Sequence, residues 1–568
     1  MSTRTGAELL CDALARAGVK CVFGLPGTQT VEIYEALRAS RIRSIVPTHE
    51  LAAAFMANGY ARTSGKVGVL LTISGPGVAF APAGLAEAKL DGVALVHFTI
   101  TPAVGPTGEP SFQSFDQAAL ARPLVKDTLL ATEAGQIGQV VREAIALATA
   151  RERGPVFVEL AAQAVRGNAS DIATAGSSAK PSSIEAASSH DLDAIMQALA
   201  AATRPVLFVA CDCSDAADQL ADAATTARLP VLVPAPYRGV IAEDHPWTLC
   251  GDDQRTSFDR IQEVVTSADL VVVLGTKLSH VATAGFRLAL TSDRVACVSD
   301  TGADFPHGYA ARLAATATPA RFVERLAVTT QMKSAWSAEQ IADLKRRFSM
   351  DRPADPPEPI VDGTEAESFF TALRVALPRD AILVTDSGLH QVLARRYFPV
   401  LAPGGFIFPS DFQSMGFGLP AAIGAKLAAP NRPVVVVLGD GGFLMSGLEL
   451  ATAVRDSVPV IVIVFNDGQL NLIRMQQLRE FGHSHGVKLR VPDLGQLAES
   501  FGARYSASSG DISGRIYEAI SAAEPTLIEV AVGDSPTIAR VRTRSLARGA
   551  ARRVLGGRLL RWLKGRLR

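Results

Sequence analysis

The most informative chemistry in this 568-residue chain sits at Gly439-Asp440-Gly441-Gly442, directly after the uninterrupted apolar run Val434 to Leu438. Such a run reads as a buried strand, and ligands bind outside the carboxyl ends of strands in open α/β sheets. The small residues let backbone N–H groups approach a diphosphate, while the carboxylate between them can hold a divalent cation on it. A second apolar strand, Val460 to Phe465, ends at Asn466-Asp467-Gly468. Asp440 and Asn466 lie 26 residues apart, the span of one helix plus one strand, so adjacent parallel strands bring both to the same edge. Two protein oxygens, diphosphate oxygens and water make an octahedral magnesium shell.

The elements that must position these residues follow one pattern. Short apolar runs alternate with helical periodicity throughout, as in parallel sheets covered by helices. The expected fold class is α/β, with three doubly wound parallel-sheet domains at 1–166, 190–328 and 362–535 and a basic tail at 536–568. An Ala/Ser-dense linker from about Gly167 to Ser189 separates the first two blocks, and a polar connection containing Asp355-Pro356-Pro357-Glu358-Pro359 precedes the third. Val67 to Ala86 carries no charge, but Ser74-Gly75-Pro76-Gly77 interrupts it. Lipid-exposed backbone is not broken that way cheaply, so a strand, a turn and a helix are expected there instead of a membrane span.

Composition narrows the class further. Hydrophobic residues at 48% against 20% charged support large cores and exclude a disordered chain. Basic and acidic residues balance at 56 each, yet eleven basic residues and no acid lie between Arg540 and Arg568. The body is therefore mildly acidic, which argues against nucleic acid as a partner. The six cysteines lack paired zinc spacing and are too sparse for a disulfide framework, which suits a cytoplasmic protein.

The Gly-Asp-Gly and Asn pairing resembles the thiamine diphosphate motif. Further segments extend the resemblance over residues 1 to about 535, to the catalytic large subunits of acetolactate synthases. They are Phe23-Gly24-Leu25-Pro26-Gly27, His49-Glu50, Gly59-Tyr60-Ala61-Arg62, Ser74-Gly75-Pro76-Gly77 and Met415 to Ala422. The resemblance implies thiamine diphosphate and Mg2+ as cofactors, with contacts at Pro26, Gly27, Glu50, Gly388, His390, Met415, Gly439, Asp440, Gly441, Gly442 and Asn466. It implies Asp440, Asn466 and the carbonyl of Gly468 as metal ligands. Glu50 would hydrogen-bond the pyrimidine ring nitrogen and favour the imino tautomer that deprotonates the thiazolium C2. Met415 would prop the two cofactor rings into a bent arrangement, and Gln113, beside Phe112, would act in catalysis by contacting the keto acid. His390, within Gly388-Leu389-His390-Gln391, is expected as a diphosphate contact and not as an acid or base. Lys126 reads equally well as a site residue and as a solvated charge.

The chain also departs from the synthases. Gln476 stands where they carry the Trp that selects 2-ketobutyrate, Phe80 replaces an Asn, and Lys277 replaces the Arg of their flavin segment. Their Met-His-Gly flavin loop has no recognisable counterpart around Gly251-Asp252-Asp253, so FAD stays an open cofactor and the acceptor need not be a second keto acid. Pyruvate decarboxylases place a His-His pair near the position of Gln113, and this chain lacks it. The expected activity is a carboligase or synthase of acetolactate synthase type. It would decarboxylate a 2-keto acid, pyruvate foremost, and transfer the acyl-anion equivalent to a carbonyl acceptor. The alternatives are a thiamine-dependent lyase or decarboxylase of another 2-keto acid, 2-hydroxy acid or acyl-CoA, and a non-catalytic scaffold. In the resembling family the block bearing Glu50 faces the metal-binding block of a neighbouring subunit, which implies a homodimer or homotetramer.

The tail lies beyond the resemblance. On a helical wheel Leu555, Leu559, Trp562, Leu563 and Leu567 share a face, with Arg558, Arg561, Lys564 and Arg568 largely opposite. A basic amphipathic helix of this kind can lie peripherally on an anionic membrane surface. The alternatives are a helix docked on the acidic body and a tail without fixed structure.

Overall fold

A computed structural model describes residues 3–101, 112–170, 189–251, 255–300, 305, 308–329, 332–350 and 360–534. The amphipathic tail, and with it the expected membrane contact, lies outside the described residues. Three sheets carry the architecture. In the first, the strands Arg43–Ile45, Cys21–Gly24, Gly68–Leu71, Leu95–Ile100, Pro155–Leu160 and Asp127–Ala131 lie side by side in that order, all parallel. In the second the order is Thr248–Gly251, Val231–Pro234, Pro205–Val209, Leu270–Leu274, Val295–Ser299 and Leu313–Thr316, again all parallel.

The third sheet runs Thr364–Glu365, Ile360–Val361, Thr526–Gly533, Ile461–Asn466, Val434–Gly439, Ile382–Thr385 and Phe406–Ile407, with Arg504–Ser508 also paired to Thr526–Gly533. Ile360–Val361 and Thr364–Glu365 form an antiparallel edge, and the other strands are parallel. Strands such as Val434–Leu438 and Leu270–Leu274 are buried at every residue, as expected of strands covered by helices on both faces. The uncharged stretch at 67–86 forms the strand Gly68–Leu71 and then the helices Pro76–Phe80 and Pro82–Asp91. Among the described residues no helix is long and apolar enough to cross a membrane.

Two segments are more ordered than their composition suggests. Asn168–Ser170, inside the Ala/Ser-dense stretch, pairs antiparallel with Thr3–Thr5. The central core also runs past residue 328, because Trp336, Ile341 and Leu344 pack into it and Trp336 Nε1 donates to the Pro205 carbonyl at 2.9 Å. The helix Ala338–Met350 keeps a narrow apolar stripe within a charged sequence, so its average composition reads as a connection.

The first and third domains share one core. The helix Glu50–Ser64, which opens on the carboxylate singled out above, crosses the helix Gly418–Ala428, which follows Met415. A Cβ at Gly59 would stand 2.0 Å from the Ala421 carbonyl oxygen, and one at Gly424 1.9 Å from that of Met56. The two backbones therefore touch, with Phe55 edge-on to Phe417 at 5.3 Å between centroids. Neither contact survives an added methyl without the helices separating. Gly424→Ala should destabilise the protein by about 1–3 kcal/mol, the usual cost of overpacking. Gly533→Ala, where the added carbon meets nothing within 4 Å, is the control. Thermal unfolding of the two variants checks this, and equal stability would contradict backbone contact at Gly424.

Candidate active site

The register of the third sheet does what the 26-residue spacing requires. Gly439 pairs with Phe465, so Asp440 and Asn466 leave neighbouring strands at the same carboxyl edge. Asp440 is the first residue of the helix Asp440–Ser446 and is buried. Its Oδ1 accepts from Gly441 N and its Oδ2 from Gly468 N, each at 2.7 Å. Asp440 and the Gly468 turn are thus in direct contact. Asn466 donates through Nδ2 to Glu529 Oε1 at 2.6 Å, which holds its amide by the nitrogen end. Burial raises the Asp440 carboxyl, with the main-chain N–H groups of Gly441 and Gly468 opposing the shift.

Asp467, which the sequence did not single out, is pushed up to about 7 by burial and by the Asp440 charge. Two crowded carboxyl groups beside an amide and a carbonyl make a hard-oxygen donor set that suits a divalent cation.

A cavity of about 150 Å³ opens beside this edge, lined by Gly388, His390, Met415, Gly439, Asp440, Gly441 and Gly442 together with residues of the 465–473 segment. Gly388 has φ +153, and a Cβ there would stand 2.7 Å from the His390 ring. That ring is buried, and burial pulls it down to about 4, so it is neutral at physiological pH. Its Nε2 has no hydrogen-bond partner. A buried, unpartnered ring nitrogen in a glycine-lined cavity beside a cation-type donor set fits a diphosphate–metal group, and supports His390 as a contact. Met415 completes the wall, 3.5 Å from where a Gly441 Cβ would stand.

A further buried acid escaped the sequence reading. Asp386 accepts from the backbone N–H groups of Ser387, Gly416 and Gly418 at 2.6, 3.0 and 3.1 Å, and burial pushes it up to about 7. It ties the end of the strand Ile382–Thr385 to the Met415 turn. No motif signals such a residue, since two of its partners are backbone groups 30 and 32 positions away.

The remaining candidates gather on the first domain. Glu50, half-buried at the start of its helix, has Oε1 3.5 Å from where a Gly77 Cβ would stand. Gly27 N donates to Thr30 Oγ1 at 3.1 Å in the turn after Pro26. Gln113 accepts from Gln29 Nε2 at 3.0 Å, and Gln29 accepts from Ser74 N at 3.2 Å. Pro26, Gly27, Glu50 and Gln113 therefore share one edge, but none of them lines the cavity at Asp440, whose walls among the described residues belong to the third domain. Lys126 is not part of either group: its Nζ donates to the Leu147 and Ala150 carbonyls, at 2.5 and 2.7 Å, and so closes a helix C-terminus.

The central sheet reverses its strand order between Pro205–Val209 and Leu270–Leu274, where a dinucleotide would be expected. The cavity there is about 70 Å³ and is lined by Cys211, Gly275 and Lys277. Arg151 pairs with Asp300 and Arg153 with Asp212 across its wall, each at 3.3 Å, and Lys277 sits beside Asp91 and Glu152.

Comparison with known proteins matches the same three regions. Residues 4–120, 192–326 and 386–530 match the models of the N-terminal TPP binding domain, the central domain and the C-terminal TPP binding domain of thiamine pyrophosphate enzymes. The acetolactate synthase isozyme 1 large subunit of Escherichia coli is 28% identical, over 93% of this chain and 94% of its own length. A probable 2-ketoarginine decarboxylase of Pseudomonas aeruginosa is 30% identical over 88% and 89%. A probable acetolactate synthase large subunit of Methanocaldococcus jannaschii is 29% identical over 94% and 93%.

Asp440→Ala should leave the sheet intact and weaken retention of magnesium with thiamine diphosphate by about a hundredfold or more. Equilibrium dialysis alongside circular dichroism checks this. Wild-type retention would remove Asp440 from the donor set.

Proposed function

The chain belongs to the thiamine pyrophosphate enzyme family, and we propose that it is a magnesium-dependent carboligase acting on a 2-keto acid in the manner of the acetolactate synthases. Within the family it is a thiamine diphosphate-dependent enzyme, a transferase or a lyase. The observation that carries the proposal is the meeting of Asp440 with the Gly468 turn, next to Asn466 and a cavity that, among the described residues, is lined by the third domain. When bound, thiamine diphosphate supplies a nucleophilic carbon and an electron sink for decarboxylation. The Asp440 carboxylate, the Asn466 amide oxygen and the Gly468 carbonyl would hold Mg2+ on its diphosphate. His390 would donate or accept one hydrogen bond at the same group without changing charge. Met415 would support the rings from the third domain, and Glu50 would hold a proton at the pyrimidine nitrogen. Gln113 would orient the keto acid.

This assignment calls for two chains, because Glu50 does not line the cavity at Asp440. Apolar side chains left exposed at both edges support a homodimer or homotetramer. Val31 is 59% and Phe112 86% exposed on the first domain, while Met445 is 62% and Leu448 60% exposed on the third. Where such exposed apolar groups form a contiguous patch, they mark an association surface.

Two observations favour a second reading, a decarboxylase that releases its product as an aldehyde. One relative bears that kind of name, and Gln476 is exposed on the helix Asn471–Phe481 where the synthases carry an acceptor-selecting Trp. A panel of 2-keto acids, from pyruvate to long and cationic ones, separates the readings when it is incubated with protein, thiamine diphosphate and magnesium and the products are identified. A carbon–carbon coupled hydroxy-keto product is expected. Aldehyde and CO2 alone would select the decarboxylase, and no turnover of any keto acid would contradict both.

A further inference from the structure

The segment that carries Met415 is irregular, running from the strand Phe406–Ile407 to the helix Gly418–Ala428. Gln413 has φ +63 and Gly416 φ +81. Several of its backbone N–H groups are held by carboxylates. Asp386, from its own domain, takes Gly416 and Gly418. The helix Pro82–Asp91 of the first domain takes three more. Asp91 accepts from Ser410 N at 3.2 Å and Asp411 N at 3.3 Å, and Glu87 Oε2 accepts from Ser414 N at 3.0 Å.

Asp91 is paired with Arg62, whose Nη1 also donates to the Phe408 carbonyl at 3.1 Å, and it feels Lys277 of the central domain. Glu87 differs from it. It is fully buried, and its Oε1 has no partner. Burial and the neighbouring Asp91 charge push it up to about 8, partly opposed by Ser414 and Arg62. A surface role or a simple ion pair explains none of this.

We propose that Glu87 is a positioning residue: from the first domain it fixes the backbone next to Met415, and through Met415 it sets the cofactor's reactive conformation in the third-domain cavity. Its single bond to the segment falls on the residue immediately before Met415. An uncharged acid suits the place, because it can accept from Ser414 N without adding a second full charge beside Asp91. The inference rests on the cavity at Asp440 taking thiamine diphosphate.

The test uses the full-length protein loaded with thiamine diphosphate and magnesium, and NMR measurement of proton exchange at the cofactor's C2. Glu87→Ala should retain cofactor nearly as well as wild type but slow exchange about tenfold to a hundredfold, the scale of a displaced reacting group. Glu87→Gln, which keeps an acceptor for Ser414 N, should restore most of the rate. In a Met415→Ala background, Glu87→Ala should cost little more, since residues acting as a unit are not additive. Should the alanine variant not fold, Glu87→Asp, with a shorter reach, carries the same comparison. Wild-type exchange in Glu87→Ala, or an equal loss in both backgrounds, overturns the positioning role. If the wild-type protein itself does not accelerate exchange over free cofactor, the reading of the cavity fails first and takes this proposal with it.

Discussion

The contact on which the rest of the arrangement depends is the backbone-to-backbone crossing of the helices Glu50–Ser64 and Gly418–Ala428. With Gly59 against Ala421 and Gly424 against Met56, the first and third domains of one chain form a single core. Each helix has a site residue at or just before its N-terminus, Glu50 on one and Met415 on the other. The crossing therefore sets the angle at which the two domains present their sheet edges. Close-packed interiors transmit such constraints because they have little room to deform.

Electrostatics then divides the labour. Buried carboxyl groups are costly unless paired or hydrogen-bonded, and the third domain contains several that have specific duties. Asp440 and Asp467 crowd one edge, where a divalent cation would relieve both. Asp386 uses backbone N–H groups to lock the Met415 turn. Glu87 and Asp91 reach the same segment from the first domain. One irregular stretch is held from two sides by acids, so the wall of the cavity is set before any ligand arrives. Such preorganisation is what lets a protein spend binding energy on chemistry instead of on its own ordering.

Much of this was legible in the sequence, for physical reasons. Asp440 and Asn466 are separated by one helix and one parallel strand, a unit of nearly fixed geometry, so their meeting follows from spacing alone. Uninterrupted apolar strands identified the parallel sheets in the same way. Glu50 and Met415 needed the family resemblance, since a Glu after a His or a lone Met has many ordinary uses. Asp386, Glu87 and Asp91 were invisible because they hold backbone N–H groups of a segment far along the chain, and such contacts leave no side-chain pattern. Lys126 looked like a site candidate until its helix-closing bonds appeared. The segment 332–350 looked like a connection because a helix with one apolar stripe carries the average composition of a loop.

In the proposed assignment one chain holds two halves of a site and two chains complete it. It is tested most directly by mixing Glu50→Gln protein with Asp440→Ala protein, each inactive alone, under conditions where subunit exchange is verified by differently tagged chains. Hybrid assemblies contain sites that pair an intact Glu50 edge with an intact Asp440 edge, so a fraction of wild-type turnover, up to about a quarter for random pairing of two shared sites, is the predicted result. Verified exchange with no recovered turnover would contradict a shared site and return Glu50 and Asp440 to separate roles.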